Sequence, residues 1–258
     1  MAGHQNDMTP HDAATALGWL AEMGCDEIIA ETPVNRMAPP TRPETPAPQT
    51  APVMPAAPGQ HPALSCQTLD DIVAALSTFD ACPLKKTAAN LCFADGNPRA
   101  RVMLVGEAPG RDEDLQGKPF VGRSGQLLDR MLAAINLSRQ AEVPDQAVYI
   151  TNVIFWRPPG NRTPTEAETT MCLPFLHRAI ALQKPDFIVC LGATPAQRLT
   201  GRSEGILKMR GRWLEAHIGG RTIPLLPTLH PAYLLRQPAQ KRLAWRDLLA
   251  LRQMLDSH

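Results

Sequence analysis

Long apolar runs, secretion signals and cysteines are all scarce in this chain of 258 residues. No stretch approaches the roughly 18 to 20 continuous apolar residues of a membrane span. The first ten residues lack the basic-then-apolar pattern of a signal peptide. Six cysteines are too few for a disulfide scaffold of this size. These absences exclude a membrane protein, a small secreted toxin and a fibrous protein, and we expect a cytoplasmic protein whose cysteines are reduced thiols or metal ligands.

Net charge is nearly absent as well, at +1, but the charged residues are unevenly distributed. Residues 1–64 carry seven acidic and two basic side chains, whereas residues 197–258 carry eleven basic and four acidic ones. A basic surface suits a polyanionic partner such as DNA. The same charges can equally belong to the solvated face of a helix, so charge alone leaves nucleic-acid binding open.

Composition divides the chain into three parts. Residues 1–30 are predicted to be an N-terminal helical segment, because their apolar residues recur at helical spacing. Residues 31–63 are predicted to be a Pro/Ala-rich linker that is largely disordered, since ten prolines fall within this range. Residues 64–258 are predicted to form the folded domain.

Within the domain, predicted strands and helices alternate. Short apolar runs indicate strands at 101–106, 147–153, 186–191 and 222–227. Helical spacing of apolar residues indicates helices at 124–135, 165–182 and 237–255, with a short helix opening at Thr194. This order predicts an α/β fold of three αβα layers around a central, mainly four-stranded parallel sheet. In such a fold the functional residues gather after the carboxyl ends of the strands.

Three segments follow predicted strand ends. The first, Gly-Glu-Ala-Pro-Gly at 106–110 with Gly-Lys-Pro-Phe-Val-Gly at 117–122, can approach a ligand closely with exposed amides. The second begins at Asn152, whose side chain offers a donor and an acceptor to an amide-like base edge. The third, His-Pro-Ala-Tyr-Leu-Leu-Arg at 230–236, combines a histidine able to stabilise an oxyanion with leucines able to wedge into a base stack. Singly, each segment is also explained as a turn, a cap or the start of a core helix.

Together, the three segments resemble the motifs of the uracil-DNA glycosylase superfamily, most closely family 4, the iron–sulfur-cluster uracil-DNA glycosylases. The first resembles the family's uracil-pocket motif, the second its Asn-Val-x-x-x-Arg-Pro-Pro-Gly-Asn-Arg stretch, and the third its His-Pro-Ala-Tyr-Leu-Leu loop. The resemblance runs from about Leu76 to the C terminus. It implies a monofunctional enzyme that flips uracil out of DNA, hydrolyses its N-glycosidic bond and so starts base excision repair.

The resemblance also implies catalytic roles. His230 would stabilise the negative charge on the departing uracil, Asn161 would position the attacking water, and Glu113 would exclude the methyl group of thymine. One or both of Leu234 and Leu235 would fill the gap that the flipped base leaves in the DNA stack.

For uracil binding, the resemblance implies four residues. Backbone amides of Glu107 and Ala108 would contact O2, and Phe120 would stack on the ring. The side chain of Asn152 would pair with N3–H and O4, which rejects cytosine because its donor and acceptor are exchanged.

The sequence departs from the family at the cluster ligands. Of the family's four cysteines only Cys82 and Cys172 are matched, and Phe79 and Trp156 stand at the other two positions. Two further cysteines of the domain, Cys66 and Cys92, lack the family's spacing. Two thiolates do not supply the four-cysteine set usual for a cubane cluster. We therefore expect a variant without the cluster, with no metal or other cofactor, in which hydrophobic packing holds this region.

The resemblance implies uracil-containing DNA as the partner, single- or double-stranded, with free uracil as a product. We expect a monomer that contacts no membrane and is nucleoid-associated by function in a bacterial-type cell. Three other readings stay open: a glycosylase that also takes hypoxanthine or xanthine, a non-catalytic lesion-binding module, and a nucleotide-phosphate loop. The missing Gly-Lys-Ser/Thr sequence argues against the last of these.

Overall fold

The computed structural model describes residues 61–257. Within this range six strands form one sheet in the order β1-β3-β2-β4-β6-β5. Their bounds are β1 (Ala94–Gly96), β2 (Val102–Gly106), β3 (Val148–Asn152), β4 (Phe187–Leu191), β5 (Leu214–Ile218) and β6 (Arg221–Thr228). The four central strands are parallel, and β1 and β5 pair antiparallel at the two edges. The predicted parallel core is confirmed, with one antiparallel strand added at each edge.

The helices cover both faces of this sheet. Their bounds are α1 (Leu69–Thr78), α2 (Arg111–Gln116), α3 (Arg123–Ala133), α4 (Glu166–Gln183), α5 (Ala193–Thr200), α6 (Ile206–Met209), α7 (Pro231–Arg236) and α8 (Lys241–Asp256). Apolar residues of α1 and α4 pack with alternate residues of β2, such as Met103, in one cluster. Those of α3 and α8 pack with the intervening residues, such as Leu104, in another. The predicted three αβα layers are therefore confirmed.

Burial explains why the central strands were readable from the sequence. Every residue of β2, β3 and β4 is buried, so each strand is built on a short apolar run, which in β3 ends at the polar residues Thr151 and Asn152. The β2–β3 register pairs Gly106 with Asn152 at the carboxyl ends of the two strands. This pairing sets two residues of different predicted segments side by side.

The edge strands and one helix start differ from the prediction. Strand β1 has only three residues, too few for a recognisable pattern. Strand β5 is joined to β6 through Gly219 and Gly220, which both have positive φ, as a two-residue hairpin turn requires. The last helix begins at Lys241 rather than at 237, because Pro238–Gln240 forms a 3-10 turn.

The predicted helical segment and most of the predicted linker lie outside the described residues. The described part begins at His61, whose ring centroid lies 4.8 Å from that of Phe175 on α4. His61 and the buried Ala63 thus pack on the domain although they precede the predicted boundary at 64. None of the helices within residues 61–257 combines the length and hydropathy that a bilayer crossing requires.

Candidate active site

A cavity of about 640 Å³ opens at the carboxyl ends of the four parallel strands. Each strand contributes a residue at or just after its end: Glu107 after β2, Asn152 on β3, Gly192 after β4 and His230 after β6. The volume falls in the range of small-molecule sites, which is about 300 to 1,000 Å³. The parallel topology therefore gathers segments that lie more than 100 residues apart at one edge of the sheet.

The deep wall of this cavity is formed by Asn152 and Phe120. Asn152 is 1% exposed, and within residues 61–257 its buried Oδ1 has no hydrogen-bond partner. Buried polar atoms normally have a partner, so this acceptor is available to a donor on a ligand. A Cβ at Gly106 would lie 2.3 Å from that Oδ1 and 2.6 Å from the Phe120 ring. Glycine at 106 therefore allows an amide and an aromatic ring to approach each other closely.

The loop that carries Phe120 is tightly held. Phe120 has φ of 55°, a left-handed conformation that is uncommon for a residue with a side chain. The carboxylate of Glu113 accepts hydrogen bonds from the amides of Val121 and Gly122, each at 3.0 Å. A Cβ at Gly125 on α3 would lie 1.8 Å from the Phe120 carbonyl oxygen, so the loop and helix backbones are in contact. Glu113 thus lines the cavity and also fixes the loop, a structural task that its sequence motif did not indicate.

His230 is held as a neutral hydrogen-bond donor. Its Nδ1 accepts the amide hydrogen of Ala232 at 3.1 Å, so the neutral ring carries its proton on Nε2. Burial, with a smaller effect of Arg236, lowers the pKa of His230 to about 4. The ring centroid lies 5.5 Å from that of Phe120. A neutral imidazole therefore stands beside the aromatic wall of the cavity.

The outer rim of the cavity is formed by the turn after β3. Asn161 is exposed there with φ of 55°, and its Oδ1 accepts a hydrogen bond from Arg157 Nε at 2.7 Å. Arg162 donates to both carboxylate oxygens of Glu168, at 2.9 and 2.6 Å. These bonds hold the pKa of Glu168 at about 2, so this rim is fastened by an ion pair to the start of α4.

The structure thus brings seven predicted residues to one cavity. They are Glu107, Ala108, Glu113, Phe120, Asn152, Asn161 and His230. Ser124 and Tyr233 also line it, as does Leu207, which is 64% exposed on α6. Sequence reasoning missed these residues. Spacing could have indicated Tyr233, which lies three residues after His230, but nothing in the sequence distinguishes Leu207.

The two leucines of the third segment differ in burial. Leu234 is 0% exposed and packs in a cluster with Leu127, Leu229 and Ala244. Leu235, the next residue on α7, is only partly buried against the same cluster. Neighbouring residues of a helix point in different directions, so only one of the two can face the core. This burial corrects the expectation for Leu234, which does not reach the surface, and leaves Leu235 as the candidate wedge.

The residues at the family's cluster positions form part of the apolar core. Cys82 and Cys172 are both fully buried, and the hydrogen bond between their thiols, together with burial, raises the pKa of Cys172. Trp156 is 3% exposed, and the Phe79 ring lies 5.1 Å from that of Phe175. Within residues 61–257, no group of three or more His, Cys, Asp or Glu side chains could hold a metal ion. These residues do not fit a four-cysteine cluster.

Comparison with known proteins identifies relatives of this domain. The family model of the uracil DNA glycosylase superfamily matches residues 93–249. A type-4 uracil-DNA glycosylase of Archaeoglobus fulgidus is 41% identical over 176 residues, which are 67% of this chain and 85% of the relative. One of Thermotoga maritima is 40% identical over 171 residues, 65% of this chain and 84% of the relative. One of Saccharolobus solfataricus is 37% identical over 194 residues, 73% of this chain and 87% of the relative.

Proposed function

This chain belongs to the uracil-DNA glycosylase superfamily, and on that premise we propose that it is a monofunctional uracil-DNA glycosylase. It hydrolyses the N-glycosidic bond of uracil in DNA and so starts base excision repair. The observation that carries this proposal is the Oδ1 of Asn152, which has no hydrogen-bond partner among residues 61–257 and is buried beside Phe120 at the end of a cavity that also holds His230. A planar ring with a donor on its edge fits that arrangement.

Uracil would be read by Asn152 and Phe120 after it has left the base stack. Its N3–H donates to Asn152 Oδ1, and its O4 accepts from the amide nitrogen of the same side chain. Cytosine has an acceptor at N3 and a donor at N4, so both of these bonds are lost. Phe120 stacks on the ring, and the backbone amides of Glu107 and Ala108 meet O2. Flipping costs a few kcal/mol, and least for a single-stranded or mismatched base.

Cleavage places a negative charge on the departing base. The C1′–N1 bond breaks, its electron pair stays with uracil, and charge develops near O2. His230 donates from Nε2 to that oxygen, and its neutral form is supported by the low pKa. The oxygen of a water molecule then bonds to C1′, and the proton that this water loses neutralises the uracil anion. In this scheme Asn161 orients the water and Glu113 crowds the position of a thymine methyl group.

The DNA would be held by basic residues of the C-terminal part, with Leu235 filling the gap in the stack. We propose that the protein acts as a monomer on both single- and double-stranded DNA and releases free uracil. We place it in the cytoplasm of a bacterial-type cell, because that compartment holds the DNA on which such an enzyme acts.

We further propose that the protein works without an iron–sulfur cluster. Phe79 and Trp156 occupy the family's cluster positions as packing residues, and only Cys82 and Cys172 supply thiols there. Iron and acid-labile sulfide assays on protein purified without oxygen test this. Both contents should be near zero while uracil excision is retained. Stoichiometric iron and sulfide would overturn the proposal.

A substrate panel tests the proposed activity. Matched oligonucleotides would carry uracil, thymine, cytosine, hypoxanthine or xanthine at one position, with excision developed by alkali. Only the uracil strand should be cleaved efficiently. Asn152→Ala should lose excision while keeping the thermal unfolding midpoint, because it removes the base-reading amide. Preferred cleavage at hypoxanthine or xanthine would show that one of these bases, and not uracil, is the substrate. Binding without any cleavage would indicate a lesion-binding module.

A further inference from the structure

We infer that Arg139 is a positioning residue that sets the Phe120 ring against the flipped base, an inference that rests on the proposed function. Arg139 lies between α3 and β3, outside the cavity and outside each of the three motifs. Its side chain is only 6% exposed. A buried guanidinium is costly unless all sides of it are satisfied, so its contacts show what it holds.

The guanidinium of Arg139 forms hydrogen bonds with backbone carbonyls of the loop that carries Phe120. Nη1 donates to the Pro119 carbonyl at 2.9 Å, and Nη2 donates to the Phe120 carbonyl at 2.8 Å. Nε donates to Asp129 on α3 at 2.8 Å, and Nη1 also reaches Asp95 on β1 at 3.2 Å. The two carboxylates balance the charge and fix the plane of the fork. One side chain therefore ties the edge strand and helix α3 to two consecutive carbonyls.

The hydrogen bonds from Arg139 hold the backbone at Phe120, the residue of the cavity wall that has an unfavourable backbone conformation. Phe120 has φ of 55°, and a conformation of this kind persists only where its surroundings hold it. Arg139 holds the two carbonyls at 119 and 120, while Glu113 holds the two amides that follow. The loop is clamped from both sides, and the ring is directed towards Gly106 and His230. Without Arg139 one half of that clamp is lost.

Arg101 offers a matched control. It too lies between two carboxylates, Asp186 at 2.7 Å and Asp145 at 3.5 Å. It precedes β2 and so lies at the amino ends of the parallel strands, whereas the cavity lies at their carboxyl ends. Arg101→Met removes a comparable pair of ion contacts without touching the Phe120 loop.

The test is a double-mutant cycle in single-turnover uracil excision. Arg139→Met should lower the rate about tenfold to a hundredfold, since displacements of about 1 Å have effects of that size. In a Phe120→Ala background the same change should cost no more than about twofold, because its target is gone. Arg139→Lys should recover little, because an ammonium cannot reproduce the fork. Arg101→Met should leave the rate unchanged. An equal loss from Arg139→Met in both backgrounds would overturn the inference and indicate a general structural role.

Hydrogen exchange gives a readout that does not need activity. Arg139→Met should speed amide exchange within 117–125 and leave the strands unchanged, and Arg101→Met should not affect that peptide. If the wild type fails to excise uracil, the proposed function fails, while the clamp on the loop is still judged by this exchange. Unchanged exchange within 117–125 in Arg139→Met would refute the clamp even in a fully active enzyme.

Discussion

Glycine at position 106 is predicted to be required for full catalytic activity, although it has no side chain that could contact the substrate. In Gly106→Ala, the new Cβ would lie 2.3 Å from Asn152 Oδ1 and 2.6 Å from Cε2 and Cζ of Phe120. Ordinary contacts begin at 3.4 Å, so the amide and the ring must each retreat by about 1 Å. Strand β2 is buried at every residue, so its own backbone has little room to move instead.

The expected loss follows from that displacement. A misplacement of about 1 Å costs on the order of a hundredfold in rate, and here it strikes the two groups that read and stack the base. We expect the single-turnover rate of Gly106→Ala on a single-stranded uracil oligonucleotide to fall by about that factor. The Kd for an oligonucleotide without uracil should not change, because that DNA contacts the surface and not the deep wall.

Gly205→Ala is the matched control. Gly205 has ordinary backbone geometry, and a Cβ there meets nothing within 4 Å. The control should match the wild type in rate, and thermal unfolding of both variants should show that most of each is folded at the assay temperature. A folded Gly106→Ala protein with the rate of Gly205→Ala would refute the geometry described for Asn152 and Phe120.

Three further predictions concern the third segment. Leu234→Ala should lower the free energy of unfolding by about 2–5 kcal/mol, because it empties a buried site. Leu235→Ala should leave stability nearly unchanged but slow excision from double-stranded DNA more than from single-stranded DNA; equal effects on both would refute the wedge. The pKa of His230 is lowered to about 4 by burial, against an ordinary value of about 6.5 in the unfolded chain. Below pH 6.5 the unfolded state therefore takes up the proton first, and stability falls as pH drops from about 6.5 to 4. Urea unfolding across that range should show less of this fall in His230→Gln; identical pH dependence in the two proteins would contradict the low pKa.

The parts that the sequence predicted are those with local signals. Strands β2, β3 and β4 are buried at every residue and β6 over its second half, so each contains a short apolar run of its own. Edge strand β1 is too short to show a period, and β5 was marked only by the glycine pair at 219–220. Short motifs likewise placed Asn152 and His230 at strand ends, and the topology brought those ends together.

The supporting contacts were not predictable in this way. Arg139 bonds to carbonyls 19 and 20 residues away and to Asp95 at a separation of 44. No periodicity or local spacing encodes such pairs. Leu234 and Leu235 are chemically identical neighbours, and only the packing of α7 decides which of them faces Leu127. Glu113 shows the same limit, since its motif indicated a ligand contact and its carboxylate also holds a loop.

The most direct test of the central claim is alkali-developed cleavage of end-labelled oligonucleotides that carry one uracil. Single- and double-stranded forms would be compared, with wild type beside His230→Ala. We expect the wild type to cleave both forms at the uracil, and His230→Ala to be slower by on the order of a hundredfold or more, because it lacks the donor at O2. No cleavage of either form by the wild type, or undiminished cleavage by His230→Ala, would contradict the account.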